Sequence, residues 1–312
     1  MIIVTGGGGY VATHTIQQLL KTTQEPVKAL VRSQEQFAKI RALGALPVKG
    51  DVTDPASLEA AFQGVDKVIH LAAVNRNRGS STMQAVNAQG TINAVEAAKR
   101  AGVRQFITVV GLGANANKPY PLAQTQGVGT DFLIRSGVPY TVLEASVIFG
   151  PGDEFINTLA GLARVPPIMV VPGDGTSKFQ PIAVQDVAMC VVRSLDHPAA
   201  INRRLQICGA QVLTLEQIID AILAELKLRR IKLHMPVPIL KIAVGIMDRL
   251  LPRSPITPSL LAQLGVDNVA TDNATGPIFG VQPVLLAQGI DYVHKTTLGV
   301  LVRRSLGLTK DR

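Results

Sequence analysis

Short apolar runs alternate with longer stretches of helical periodicity through the first half of the chain. Ile2–Thr5, Val27–Val31, Leu46–Val48, Lys67–Leu71, Gln105–Val110 and Pro139–Leu143 are rich in aliphatic and β-branched residues, and each reads as a strand buried on both faces. Between them Tyr10–Lys21, Ser33–Leu43, Pro55–Phe62, Thr82–Ala101 and Gln126–Arg135 read as helices, several opened by Ser, Asp-Pro or Thr, with Gly102 and Gly137 as closing glycines. Strands alternating with crossover helices predict an α/β fold: a doubly wound parallel sheet covered on both faces. After about residue 150 the rhythm weakens, and Gly150-Pro151-Gly152, Pro166-Pro167 and Pro172-Gly173-Asp174-Gly175 read as loops. Helices are still expected at Val184–Leu195 and Leu215–Leu226, with short strands near Phe179–Ile182 and Leu205–Ile207. The expected division is a sheet domain over residues 1–150 and a smaller α+β lobe over 151–312, with some return of the chain to the main sheet.

The first strand runs directly into Gly6-Gly7-Gly8-Gly9-Tyr10-Val11-Ala12, a GxxGxxA spacing marked by Gly6, Gly9 and Ala12. Gly6 allows a tight strand-to-helix turn, Gly9 lets backbone amides approach a pyrophosphate, and Ala12 allows the helix to pack closely on the strand. In that context the loop predicts a Rossmann-type dinucleotide site, with Thr5, Gly6, Gly8, Gly9, Tyr10 and Val11 against the cofactor. Where an acidic residue about 20 positions on would take the ribose 2′-hydroxyl of NAD, the second strand ends in Val31-Arg32-Ser33. A guanidinium pairs with a 2′-phosphate by charge-assisted hydrogen bonds, so NADP(H) is expected over NAD(H); the alternative is a solvated Arg at a helix start.

These residues join others in order: Ala29-Leu30-Val31-Arg32, Gly50-Asp51-Val52-Thr53-Asp54, Val68-Ile69-His70-Leu71-Ala72-Ala73, Asn87-Ala88-Gln89-Gly90-Thr91 and Ala97–Val103. Ser136–Leu143, Ile148–Asp153 and Gln180–Ala188 follow. Together they resemble the extended and atypical short-chain dehydrogenase/reductases, the NAD-dependent epimerase/dehydratase superfamily, over residues 1 to about 210. Within it the chain is most similar to the NmrA-like group and the NADPH-binding accessory subunits of respiratory complex I, a likeness that Pro258–Val269 and Phe279-Gly280-Val281-Gln282-Pro283 extend. The resemblance implies that Asp51 and Val52 flank the adenine, that Leu71, Ala72 and Ala73 pass beside the ribose and phosphates, and that Ala145, Ser146 and Val147 lie near the nicotinamide. Gln126 is placed with the cofactor contacts as well.

The family's proton relay is a Tyr with a Lys four residues later. Here Tyr120 is followed by Gln124, and the register counted back from Ser136-Gly137 gives Leu122 and Gln126. A neutral amide does not stabilise a phenolate as an ammonium does. Tyr120 is then either a proton donor using Lys118 or a surface Tyr in a Pro-rich loop, and Glu144 either an acid/base or a carboxylate paired with Arg135 or Lys178. His14 and His70 read as structural. Two functions follow: a non-catalytic protein retaining NADP(H) as a structural or sensing ligand, with attachment to a membrane complex a further expectation, or an NADP(H)-dependent oxidoreductase, epimerase or dehydratase with a non-standard site and a small-molecule substrate.

Composition narrows the partners. With no Trp, eight Phe and four Tyr, the core is aliphatic and base stacking is poorly equipped; no reader motif accompanies the +9 charge, so nucleic acid is not expected. Cys190 and Cys208 stand apart without CxxC or Cys/His clustering, which suggests neither a disulfide framework nor a metal site, and a reducing, cytoplasmic setting follows. The opening MIIVTGGGGY enters a strand at once, unlike a secretory leader. Residues 227–253 hold Lys227, Arg229, Arg230, Lys232, Lys241, Arg249 and Arg253 against Asp248 alone, an excess of +6. Pro238–Leu251 reads as a helix with most of its circumference apolar, either buried in the small lobe or docked on an anionic membrane or protein partner.

Overall fold

The computed structural model describes residues 1–250, Leu261, residues 263–295, Thr297 and Gly299. Strands β1 (Ile2–Thr5), β2 (Val27–Val31), β3 (Leu46–Lys49), β4 (Lys67–His70), β5 (Gln105–Gly111) and β6 (Tyr140–Ala145) alternate with helices α1 (Tyr10–Thr22), α2 (Gln34–Leu43), α3 (Pro55–Phe62), α4 (Gly90–Arg100) and α5 (Pro121–Arg135). There follow β7 (Ile148–Phe149), α6 (Phe155–Ala163), β8 (Ile168–Pro172), β9 (Lys178–Phe179), β10 (Ile182–Ala183), α7 (Val184–Arg193), β11 (Arg203–Ile207), β12 (Leu213–Thr214), α8 (Leu215–Glu225), β13 (Ile231–Met235) and α9 (Val237–Leu250).

Two compact units divide the chain. The first comprises Met1–Ala145, Val184–Ile207 and Ala270–Gln282. Its seven strands lie in the order β3-β2-β1-β4-β5-β6-β11, every pair parallel, the doubly wound arrangement expected from the alternation. Sequence order reverses between β1 and β4, the position at which such sheets open a crevice at the carboxyl ends of their strands. Ile2, Ile3, Val68, Ile69, Phe106 and Ile107 are completely buried, as strands covered on both faces require. Local signals set the helix ends: Ser33 and Gln36 form a capping box, Asp54 caps α3 by accepting from the Ala56 N–H behind Pro55, and Gly44, Gly102 and Gly137 carry positive φ just past α2, α4 and α5.

Two elements differ from expectation. Helix α5 begins at Pro121, not Gln126, because a Pro at the first helical position lacks only a donor that would be unsatisfied there. Tyr120, the last residue of the Pro-rich loop, is the N-cap residue of this helix. The helix expected over Thr82–Ala101 is a π-helical turn, Gln84–Gln89, running into α4, with the Gly90 amide donating to the Ala85 carbonyl.

The second unit comprises Ser146–Ala183, Cys208–Val269 and the residues from Pro283 onward. Phe149, Ile156, Leu159, Phe179, Ile218 and Ile222 form its core together with Tyr292 and Val293. Strand β13 pairs with β8 in parallel, Ile231 opposite Ile168. Helix α6 and strand β8 lie between the proline-glycine stretches read as loops, β8 ending on Pro172, and β13 is an element the sequence reading did not include. The basic apolar helix is present as α9, while Leu251, Arg253 and the motif residues 258–260 lie outside the described residues. Among the described residues no helix is long and apolar enough to cross a membrane.

Candidate functional site

The turn between β1 and α1 is built around missing side chains. Gly6 has φ +66°, and a Cβ there would stand 2.7 Å from Ala72 Cα and 2.9 Å from the Leu71 carbonyl oxygen. A Cβ on Gly7 would meet that of Ala29 at 2.8 Å. The Gly7 N–H donates to the Leu30 carbonyl (3.0 Å) and the Gly9 N–H to the Gly6 carbonyl (2.8 Å), which fixes the bend. Gly9 is the N-cap of α1 in extended conformation; no side chain caps the helix and no acidic residue lies in its first turn. First-turn amides lack intrahelical acceptors and carry the positive end of the helix dipole, so an uncapped, side-chain-free helix start suits a pyrophosphate.

Gly6, Gly8, Gly9, Arg32, Asp51, Val52, Leu71, Ala72 and Ala73 line one cleft at the switch point. Of the other residues expected at the loop, Thr5 is buried, Tyr10 sets its ring edge-on to His14 with centroids 5.7 Å apart, and the Val11 carbonyl accepts from Thr15 Oγ1 within α1. Gln36, Gly50, Val74 and Val86 also line the cleft. The Gln36 Oε1 accepts from the Arg32 N–H (3.0 Å) and holds the β2–α2 turn; the Ser33-x-x-Gln36 pattern was the signal for it.

Arg32 is more than half exposed, its Nη1 3.5 Å from Asp51 Oδ2 and 3.4 Å from Ser81 Oγ. Both contacts are long, and the guanidinium retains donors for an anionic group. Asp51 Oδ1 accepts from the Thr53 amide (2.9 Å) and hydroxyl (2.8 Å). Burial pushes the Asp51 carboxyl up, but the Thr53 bonds and the Arg32 charge more than offset it and leave it below the ordinary carboxylate range.

Beneath the turn, the fully buried His70 links Thr5 to Thr91, Nδ1 lying 2.9 Å from Thr5 Oγ1 and Nε2 3.1 Å from Thr91 Oγ1. Thr91 Oγ1 gives its proton to the Asn87 carbonyl, so it accepts from His70 Nε2–H, and Nδ1 accepts from Thr5. Burial lowers this imidazole's pKa to about 4, so it is neutral at pH 7. Asn87 secures the chain after β4 by exchanging two bonds of 2.8 Å with the Val74 backbone.

At the far ends of β5 and β6 the polar side chains are already engaged. Gln126 Oε1 accepts from the Gly111 N–H at 3.0 Å. Glu144 is 5% exposed, and its Oε1 accepts from Arg204 Nε at 2.7 Å and again from Arg204 Nη2, which also donates to the Ala114 carbonyl. The partner is thus neither Arg135 nor Lys178. Strand β11 lies parallel beside β6 with Gln206 opposite Glu144, which sets Arg204 diagonally across the carboxylate. The Ala145 carbonyl accepts from Leu112. Ser146 and Val147 open the second unit and bond within it: Ser146 Oγ contacts Asn268 Oδ1 at 2.7 Å, and the Val147 carbonyl accepts from Ile182.

A family model described as NAD(P)H-binding matches residues 6–198, and the chain belongs to that family. The NAD(P)H azoreductase of Xenophilus azovorans is 29% identical over 227 residues, covering 72% of this chain and 73% of the relative. Subunit 9 of the NADH dehydrogenase [ubiquinone] 1 alpha subcomplex of Dictyostelium discoideum is 26% identical, covering 70% of this chain and 62% of its own length. Among solved structures, the NADPH-dependent quinone oxidoreductase QOR2 of Escherichia coli, complexed with NADPH, shares the fold with TM-score 0.77 at 22% identity, covering 94% of this chain and 100% of that one. The resemblance to the extended and atypical short-chain dehydrogenase/reductases stands with these findings.

Proposed function

We propose that this NAD(P)H-binding chain takes NADP(H) in preference to NAD(H) and retains it as a structural or sensing ligand, without the proton relay of a standard short-chain dehydrogenase. The observation that carries the reading is a contrast within one unit: the helix start at Gly9 is uncapped and bare, whereas Gln126 and Glu144 are already hydrogen-bonded. In this reading Gly6, Gly8 and Gly9 hold the diphosphate on the α1 amides, and Leu71, Ala72 and Ala73 border the ribose. Asp51 and Val52 border the adenine, and Arg32 turns its guanidinium to the 2′-phosphate. When bound, the nucleotide supplies a nicotinamide able to give or take a hydride.

A second reading, favoured by the names of the azoreductase and quinone oxidoreductase relatives, is an NADP(H)-dependent reductase. Hydride delivery to a quinone or azo acceptor followed by protonation from water needs no Tyr-Lys pair, so this sequence is compatible with it. Native mass spectrometry of the purified chain, followed by NADPH absorbance in the presence of a quinone and an azo dye, separates the two. Retained NADPH without sustained oxidation supports the ligand role; steady turnover replaces it with the reductase; failure to retain or bind either nucleotide removes both.

A further inference from the structure

Helix α9 is apolar on two opposed sides. Val237, Leu240, Val244 and Met247 recur at helical spacing along one of them; Val244 is 7% exposed and the other three are half-buried. Ile239, Ile242, Ile246 and Leu250 recur along the other, and they are 55%, 68%, 57% and 76% exposed. A helix that only closes the core of its own unit needs the first stripe and would carry polar residues on the second. This stripe contains no polar side chain. Exposed Arg249 borders it and exposed Lys241 lies further round the same flank, neither with an acidic partner among the described residues. Strand β13, which leads into α9, also exposes Ile231 (68%) and Leu233 (43%).

We infer that the outer face of α9 docks on an anionic phospholipid surface, with Ile239, Ile242, Ile246 and Leu250 entering the boundary between headgroups and acyl chains and Arg249 and Lys241 reaching the phosphates. This inference stands apart from the nucleotide reading. Charge decides between the occupants of such a face. An anionic bilayer complements Arg249 at the edge of the stripe and the +9 charge of the chain, whereas a second copy of the chain brings the same net positive charge to the face. Long cationic side chains on one flank of an interfacial helix keep their heads in the aqueous layer while their stems lie on apolar surface.

The test is flotation of the full chain with phosphatidylcholine vesicles, with and without about a third phosphatidylglycerol, at low and high salt. Recovery with anionic vesicles is expected to exceed that with neutral ones by about tenfold or more, to fall with salt, and to be lost in the double variant Ile242→Asp/Ile246→Asp. That variant is expected to keep its Tm and its NADPH binding, since both positions are exposed. Because the chain has no Trp, Ile242→Trp gives a unique fluorophore whose emission should shift to the blue on anionic vesicles only. Equal recovery with both vesicle types, or no difference between wild type and the Asp variant, overturns the proposal. So does a wild-type dimer that Ile242→Asp/Ile246→Asp dissociates without any vesicle binding, which gives the face to a second copy. Emission already blue-shifted in buffer and unmoved by lipid overturns it too, and gives the face to a cover from the chain itself.

Discussion

The β1–α1 turn and the ends of β5 and β6 belong to the same unit, yet they treat their polar groups in opposite ways. At the turn, glycine replaces every side chain that would fill the bend, and the helix start has neither a capping side chain nor an acidic residue. At the ends of β5 and β6, Gln126 is bonded to Gly111 and Glu144 to Arg204. A binding surface for an anion needs donors left over; a braced strand end uses its donors and acceptors internally. The bare start of α1 suits the dinucleotide of an NAD(P)H-binding chain, while Gln126 and Glu144 are bonded within the unit.

Substitutions can break that contrast from either side. The largest effect is expected at Glu144→Ala, which leaves the Arg204 guanidinium without its buried partner and should destabilise the chain by about 3–5 kcal/mol while leaving NADPH affinity nearly unchanged. If instead Tm holds and NADPH oxidation collapses, Glu144 is a proton carrier and the contrast is lost. His70 comes next. The fold holds its pKa near 4 against about 6.5 unfolded, so the unfolded chain takes up a proton the native state refuses. Its contribution is fully present above about pH 6.5 and drains away as the pH falls towards 4, by about 3 kcal/mol in all; urea unfolding at pH 7 and pH 4.5 should show that arm in wild type and a flatter one in His70→Asn. Gly6→Ala forces a Cβ against the Ala72 backbone at positive φ, and its NADPH affinity should fall by about a hundredfold, read by calorimetry. Smallest is Arg32→Ala, expected to weaken NADPH by about ten- to thirtyfold and NADH hardly at all, the worth of a charge-assisted hydrogen bond.

What the sequence disclosed follows the same division. The glycine turn, the Ser33 start of α2 and the six alternating strands are local patterns, each decided by residues a few positions apart, and they were legible. The Glu144–Arg204 pair was not, because its partners are 60 residues apart and meet only once β11 has taken its place beside β6. Reading Pro119 and Pro121 as loop formers hid the start of α5, although Pro is well placed at a first helical turn. The π-helical Gln84–Gln89 escaped because a period-3.6 pattern cannot report one extra residue in a turn. The bond between Ser146 and Asn268 was not legible either, because its partners are 122 positions apart.

The most direct measurement is a calorimetric titration of the full chain with NADPH and with NADH, with Gly6→Ala alongside. Saturable heat at one nucleotide per chain is expected, tighter for NADPH and largely abolished by the substitution. No heat from either nucleotide, or the same heat from Gly6→Ala as from wild type, would contradict it.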